Sequence, residues 1–340
     1  MLYSNIDLEI IRNELQKLNQ PSYRYDQFLQ AFYKDLITDI NEITSWPKQL
    51  REQLQSLPLT VLEQIRNLQS KQQDTVKVLL RRNDGKAIES VLMRHKDGRN
   101  TVCVSCMVGC PVGCIFCATG KLGFQGNLNA DEIVEQVLYF ARMVKEEGQT
   151  ITNVVYMGMG EPLLNLEQVE RSIDILTDPK KMGLSIRRIT ISTSGYIKQL
   201  RELIDHGYKG RLALSLHAPN QALRETIMPA AKFNELPALM SEFDRYVELT
   251  NRRVSYEYIL IKGVNDSIKQ AKELAELLKK RLAHVNLIPY NPIDNSPLQT
   301  SDLKTIKQFQ EFLDRYGVDN TIRVTMGSDV KAACGQLAGS

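Results

Sequence analysis

Long apolar runs are missing from this chain. No stretch approaches the roughly eighteen consecutive apolar residues that a membrane-spanning helix requires, so no membrane partner is expected. The opening MLYSNIDLEIIRNELQKL mixes acids and bases on an amphipathic pattern. It lacks the basic start and apolar stretch of a secretion signal, and a cytoplasmic protein is expected. Strong charge is also missing. The formal net charge is +3, and residues 1–90 balance Lys and Arg against Asp and Glu. No basic arm therefore points to a nucleic acid, and none is excluded. The short basic runs RHKDGR (94–99) and KKMGLSIRR (180–188) read as solvated surface charge. Internal repeats and low-complexity segments are absent, which excludes solenoids and disordered linkers. Cysteine is scarce, six in 340 residues, yet five of the six fall between positions 103 and 117. In a reducing compartment such crowding points to a metal or catalytic site rather than a disulfide framework.

Apolar residues make up 43% and charged residues 24% of the chain, ordinary for a globular protein with one large domain and a smaller one. Residues 1–74 read as short helices, with apolar residues three and four apart in DLEIIRNELQKL and YDQFLQAFYKDL. In SWPKQLREQLQSL, Ser45 is a plausible N-cap with Pro47 in the first turn. Residues 75–99 read as a β-hairpin turning at Asn83-Asp84-Gly85. From residue 100 strands alternate with helices. Strands are expected at 101–105, 151–157, 188–193, 210–216, 252–261 and 284–289, and helices at 130–147, 166–176, 196–206, 234–250 and 268–281. A last helix (301–316) and strand (321–326) follow, and a tail of residues 327–340 ends the chain.

This is an α/β pattern. Six βα units imply a parallel sheet with right-handed crossovers but are too few for a closed eight-stranded barrel. An open, partial (βα)6 barrel over 100–326 is expected, with a doubly wound sheet as the second option. In either fold the chemistry sits at the carboxyl ends of the strands. Those ends carry the cysteine stretch, GMGEP (158–162), STSG (192–195), SLHAPN (215–220) and PYNP (289–292).

Cys110, Cys114 and Cys117 form C-x3-C-x2-C. Structural zinc sites take four ligands, usually as two separated pairs, and four-cysteine iron–sulfur sites fill every iron. Three close thiolates suit a cubane with one iron open to a chelating small molecule. A zinc knuckle or inert packing remains open from spacing alone, and Cys103 or Cys106 could supply a fourth ligand.

With Phe116 before its last cysteine, the triplet resembles that of the radical S-adenosylmethionine (SAM) enzymes. Together, CVSCMVGCPVGCIFCATGKLGF, VVYMGMGEPLLN, RRITISTSG, LALSLHAPN, HVNLIPYNP and the terminal AACGQLAG are similar to the RlmN/Cfr class of radical-SAM adenosine C-methyltransferases. The resemblance covers most of the chain, including YRYDQF (23–28). It implies a [4Fe–4S] cluster on Cys110, Cys114 and Cys117, with SAM chelating the open iron and two SAM used per turnover. It implies contacts to SAM from Gly160, Glu161, Ser192, Ser215, Leu216, His217 and Asn291.

By the same resemblance, Cys334 accepts a methyl group, which becomes a methylene radical and adds to an adenine carbon. Cys103 resolves the covalent protein–RNA intermediate by forming a disulfide with Cys334, and Glu89 is the general base. Cys106 receives no role. The implied substrate is C2 of an adenosine in the peptidyl-transferase region of 23S ribosomal RNA, and the adenosine 3′ of the anticodon in some tRNAs. The alternatives are a Cfr-type C8 methyltransferase conferring antibiotic resistance and a non-enzymatic, zinc-stabilised RNA-binding protein. Pro162 and Leu164, which the resistance type tends to replace by Ala, favour C2. Lys331 stands where family members often carry Asp. An electron donor such as flavodoxin and a monomeric state are also implied. The target base must be extruded to be reached, and the N-terminal helices and hairpin are the expected RNA-facing parts, with Tyr23, Tyr25 and Trp46 as stackers or core.

Overall fold

The computed structural model describes residues 8–339. Residues 1–7 and Ser340, which belong to the first and last expected segments, lie outside the described residues. The chain begins with α1 (Leu8–Lys17), α2 (Tyr23–Tyr33) and α3 (Lys48–Leu54). Helix α3 starts two residues later than the Ser45 cap predicts, because Pro47 is its N-cap in an extended conformation (ψ 144°). Trp46 precedes this proline and is held off the helical region. Its ring is buried beside Phe28, and Nε1 donates to the carbonyl of Arg24 at 3.2 Å. Trp46 is therefore core, Tyr23 is about half exposed (51%), and Tyr25 lies under the Arg12 guanidinium.

Strand β1 (Glu63–Gln69) pairs antiparallel with β2 (Thr75–Arg81), which pairs with β3 (Ala87–Arg94) and through it with β4 (Asn100–Cys103). The hairpin β2–β3 is where the alternation predicts it. β1 lies in a stretch read as helical. Its sequence, EQIRNLQ, is polar and almost wholly exposed. Pairing with β2, reinforced by the Arg81–Glu63 ion pair at 2.9 Å, imposes the extended state.

A small second sheet, β5 (Met107–Gly109) with β6 (Phe124–Asn127), brackets the cysteine loop and the short helix α4 (Ala118–Leu122). Then come α5 (Ala130–Glu146), β7 (Asn153–Tyr156), α6 (Leu166–Thr177), β8 (Ile189–Thr193), α7 (Ile197–Asp205), β9 (Arg211–Ser215) and α8 (Gln221–Ile227). The series ends with α9 (Leu236–Thr250), β10 (Val254–Leu260), α10 (Ile268–Leu278), β11 (Ala283–Pro289), α11 (Leu303–Arg315) and β12 (Asn320–Ile322). Capping is local and legible. Asn129 caps α5 in a reciprocal box with Glu132, and Ser267 does so for α10 with Gln270.

The main sheet runs β1-β2-β3-β4-β7-β8-β9-β10-β11-β12. From β4 onward every pairing is parallel. The sheet does not close, since β1 and β12 are its two edges, and an open partial barrel results. β12 is shorter than expected. After Arg323 donates to the carbonyl of Leu287, the partner strand reaches Pro289, which has no N–H to extend the ladder. Val324 is exposed. One apolar cluster joins the N-terminal helices, the sheet and the helices covering it, and a second lies under the cysteine loop. The basic runs are largely paired: Arg94 with Glu147, Arg99 with Asp97 and Lys180 with Asp26.

Candidate active site

The parallel strands end on one rim, and the ends of β7, β8, β9 and β11 present predicted residues. Ser192 and Ser215, at the ends of β8 and β9, face each other with their hydroxyls 3.4 Å apart. Gly160 follows β7 with φ +106°, and a Cβ there would stand 2.7 Å from Cβ of Met107. Only glycine lets this turn lie against β5. Its neighbour Met159 accepts at its carbonyl from the amides of Cys106 (2.9 Å) and Met107 (3.2 Å).

Glu161 is buried, and its carboxylate is fully engaged. Oε1 accepts from Thr193 Oγ1 (2.6 Å) and the Leu163 amide (3.1 Å). Oε2 accepts from the amide and hydroxyl of Ser194 (2.7 and 2.8 Å). Burial pushes its pKa up, and these donors oppose that. The carboxylate thus ties the β7 loop to the β8 loop.

Leu216 is fully buried. His217 adopts the left-handed region (φ +57°), its ring edge-on to Phe116 at 4.8 Å. Its Nδ1 accepts from the Ile259 amide at 3.1 Å, which places any proton on Nε2. Burial, aided by the Arg224 charge, lowers its pKa to about 3. His217 is therefore neutral near pH 7 and serves as a shaped wall rather than an acid or base.

The cysteine stretch divides in space. Cys110, Cys114 and Cys117 lie on the loop between β5 and α4, over an apolar floor that includes Val112, Phe116, Ile227, Met228 and Ile259. The loop entrance needs glycine at 109. Its φ is +70°, and a Cβ would fall 1.8 Å from the Gly123 carbonyl oxygen. Cys110 N donates to that same carbonyl at 3.0 Å. Burial pushes the Cys110 thiol up to about 12 and the Cys114 thiol well above its ordinary value, and the neighbouring cysteines add to both shifts. Three thiols in a dry pocket do not ionise together without a cation, and a cationic iron–sulfur core supplies that charge with the soft partner thiolate prefers. The donor set thus fits such a cluster. Among the described residues no three His, Cys, Asp or Glu side chains converge as single-ion ligands. A cubane, whose thiolates bind separate irons, does not require that convergence.

Cys106 belongs to the frame. It is buried, its amide donates to Met159, and its carbonyl accepts from Leu128 N (3.0 Å) and Asn165 Nδ2 (2.9 Å). Cys103, the last residue of β4, is buried, and its thiol is pushed up to about 12 by burial and then by the Cys334 charge.

Cys334 reaches the site from the far end of the chain. It keeps accessible surface but sits in a depression crowded by protein. Burial raises its pKa, Arg323 opposes this, and Glu257 and Cys117 add to it. The tail is pinned at the thiol's own residue and beyond it. Asn291 Nδ2 donates to the Cys334 carbonyl (3.1 Å), Ala118 N to the Gly335 carbonyl (2.7 Å) and Thr119 Oγ1 to the Leu337 carbonyl (2.6 Å).

Glu89 holds the tail's end, accepting from Ala338 N (2.7 Å) and Gly339 N (3.2 Å). Its other oxygen pairs with Lys77 at 2.7 Å, and Lys77 also donates to the Lys331 carbonyl (3.1 Å). Far from a solvated hairpin charge, Glu89 is 1% exposed. A cavity of about 200 Å³ opens beside it, lined by Lys77, Lys121, Asp294, Lys331 and Ala338 but by none of the cysteines. Lys331 itself pairs with Asp294 at 2.6 Å.

Sequence reasoning missed Lys77, Thr119, Arg224 and Glu257. Each looks like an ordinary strand or helix residue, and only packing reveals its partner.

The Radical SAM superfamily model matches residues 104–278. The chain is 44% identical to a "Probable dual-specificity RNA methyltransferase RlmN" of Dictyoglomus thermophilum, covering 98% of this chain and 95% of that protein. It is 40% identical to the "Ribosomal RNA large subunit methyltransferase N" of Nitrosopumilus maritimus, covering 96% and 97%. The crystal structure of a radical SAM methyltransferase from Sphaerobacter thermophilus superposes with a TM-score of 0.94 at 43% identity over the whole of both chains. Membership of this superfamily implies a [4Fe–4S] cluster and SAM, which the thiol triplet suits. The open ten-stranded α/β sheet, the cysteine loop and these full-length likenesses place the chain in the radical SAM superfamily, among the RlmN-type RNA methyltransferases.

Proposed function

We propose that the chain methylates C2 of an adenosine in the peptidyl-transferase region of 23S ribosomal RNA and of the adenosine 3′ of the anticodon in some tRNAs. One observation carries the reading: the tail brings Cys334 within electrostatic reach of both Cys103 and Cys117. A methyl-accepting thiol, a resolving thiol and a metal ligand then belong to one neighbourhood. The names of the relatives, one of dual specificity and one for the large ribosomal subunit, support RNA as the substrate class.

Cys110, Cys114 and Cys117 would hold the cluster, and Gly160, Glu161, Ser192, Ser215, Leu216, His217 and Asn291 would surround SAM. Because the Glu161 carboxylate is consumed by the β8 loop, its contribution to the SAM ammonium falls to the backbone of the turn it braces. When bound, the cluster and SAM supply a carbon-centred radical that can take a hydrogen atom from a methyl group.

The chain's own groups do the rest. Cys334 accepts the methyl group as a thiolate, the form in which sulfur is nucleophilic. C2 of adenine has no lone pair with which to attack a sulfonium, so its new carbon must arrive on Cys334 as a radical. Bonding to C2 would tie the RNA to the protein as a radical adduct, which would return one electron to the oxidised cluster while Glu89 takes the C2 proton. Cys103, as a thiolate, would then bond to the Cys334 sulfur, breaking the bond from that sulfur to the new carbon, which takes up a proton and leaves as the methyl group of the base. Glu89 is occupied by Ala338 and Gly339, so the tail must loosen before Glu89 acts. The N-terminal helices α1–α3, with exposed Tyr23, and the hairpin β2–β3 are the RNA-facing parts. The same proposal includes a donor such as flavodoxin, a monomer and a cytoplasmic location.

Mass spectrometry of Cys334 tests the reading. A methyl or methylene adduct is expected on protein made with ample SAM, and C103A should trap RNA on Cys334. An unmodified Cys334 under these conditions would sink the mechanism. Mapping methylated adenosines in RNA from a deletion strain separates C2 from C8, and a C8 methyl would replace the substrate assignment.

A further inference from the structure

Arg224 has no role in the reading above, yet it carries its charge in a dry site. It lies on α8 and is fully buried. A guanidinium carries five N–H donors and stays charged at any physiological pH. Nη2 donates to the carbonyls of Ser194 and Ser215, the second at 3.3 Å, which anchors the side chain on the rim between β8 and β9. Nε and Nη1 have no partner among the described residues. A buried cationic donor without an acceptor is strongly destabilising, so these N–H groups are built for something the polypeptide does not supply.

Two acidic groups lie within electrostatic reach of Arg224, Cys114 and Glu161. Glu161 is already saturated by Thr193, Ser194 and Leu163. The cysteine loop remains. It is fastened to α8 by Ile115 N donating to the Ile227 carbonyl at 3.1 Å, and Cys110, Cys114 and Cys117 pack on the apolar cluster that contains Ile227 and Met228. α8 therefore carries both the floor of the thiol pocket and the unpartnered guanidinium edge.

We propose that Arg224 is a positioning residue of the cluster site, its Nε–H and Nη1–H donating to the anionic sulfur centred on Cys114 and stabilising the reduced, more negative cluster. The inference rests on the assignment of Cys110, Cys114 and Cys117 as cluster ligands. The reaction starts when one electron from an external low-potential donor enters a dry, already anionic centre. Hydrogen bonds to cluster sulfur and a fixed positive charge beside it both favour the reduced state. Arg224 supplies both without moving, because Ser194 and Ser215 hold its other edge.

The test is an anaerobic redox titration followed by electron paramagnetic resonance, on the parent chain, R224Q and R224K, without SAM. Iron content and circular dichroism are measured alongside. R224Q should bind iron as the parent does, with its reduced-to-oxidised ratio at a fixed potential lowered about tenfold, a shift of 59 mV for a one-electron couple. R224K, which keeps the charge but not the fork, should recover part of that loss. A folded, iron-loaded R224Q with the parent's potential overturns the proposal. Should R224Q fail to fold, R224K carries the test: a ratio lowered about threefold supports the proposal, and a parent-like value overturns it. A parent chain that assembles no iron–sulfur cluster overturns the site reading as well, so the two failures are distinguishable.

Discussion

The Lys77 ammonium stands 2.7 Å from the Glu89 carboxylate on adjacent strands of the hairpin, with both side chains nearly inaccessible to water. Leu79 is the strand partner of Glu89, so Lys77 reaches across from two residues along the same face. The pair is a junction: Lys77 also holds the Lys331 carbonyl, and Glu89 holds the amides of Ala338 and Gly339. Removing one partner strands the other charge in a dry site. K77M should therefore lower stability by about 3 kcal/mol, read from the urea midpoint. The double variant K77M/E89Q should recover much of that loss, and a double variant as unstable as K77M would show that the pair is not the cause.

The tail should loosen when its anchors are cut. T119V removes the donor to the Leu337 carbonyl, and N291L removes the donor to the Cys334 carbonyl. Either change should speed amide exchange across residues 333–339 while leaving β7–β11 protected. Uniform acceleration over the whole chain would point instead to global destabilisation.

Gly160 should not tolerate a side chain. In G160A the methyl group would meet Met107 at 2.7 Å on a backbone already in the left-handed half of conformational space. About 2 kcal/mol of stability should be lost, and SAM affinity should fall with it, as measured by calorimetry on the anaerobic protein.

His217 sets a pH window. Unfolded histidine binds a proton below about pH 6.5, whereas the folded ring does so only below about 3. Between those values unfolding takes up a proton, so stability falls as the pH drops through the window and is fully lost from this source near its lower end. The slope is about 1.4 kcal/mol per pH unit for one proton. H217N should show a shallower dependence of its urea midpoint than the parent over the same range. Parallel curves would mean that the ring is protonated in the folded state.

Cys106 should be dispensable for iron. Its thiol is buried and its backbone groups are bonded within the frame. C106A should keep the parent's iron content, whereas C114A should lose most of it, as measured by iron analysis after anaerobic reconstitution.

Much of the fold was readable from periodicity. The hairpin, the β–α alternation and the rim loops stand where alternation and 3.6-residue spacing predict them, because each element's own pattern matches the face it buries. The exceptions have tertiary causes. EQIRNLQ is a strand because β2 offers it a ladder. Helix α3 starts late because Trp46 is drawn into the core and Pro47 must be extended. β12 stops short because Pro289 has no N–H to give.

Sequence alone determined which chemistries were available: three soft ligands at C-x3-C-x2-C, two further thiols beside them and one at the far end, with glycine and serine at the strand ends. Those are properties of residue type and spacing, which survive without a fold. Only the tertiary structure decided which groups meet. It brought Cys334 within electrostatic reach of Cys103 and Cys117 across more than two hundred positions. It also turned Glu89 from a surface charge into a buried anchor, spent the Glu161 carboxylate on a neighbouring loop, and left Arg224 beside the cysteine loop with two nitrogens unpaired. The reason is physical. Hydrogen bonds and ion pairs between remote residues exist only once the chain has closed the loops between them, and no local pattern records which donor will find which acceptor.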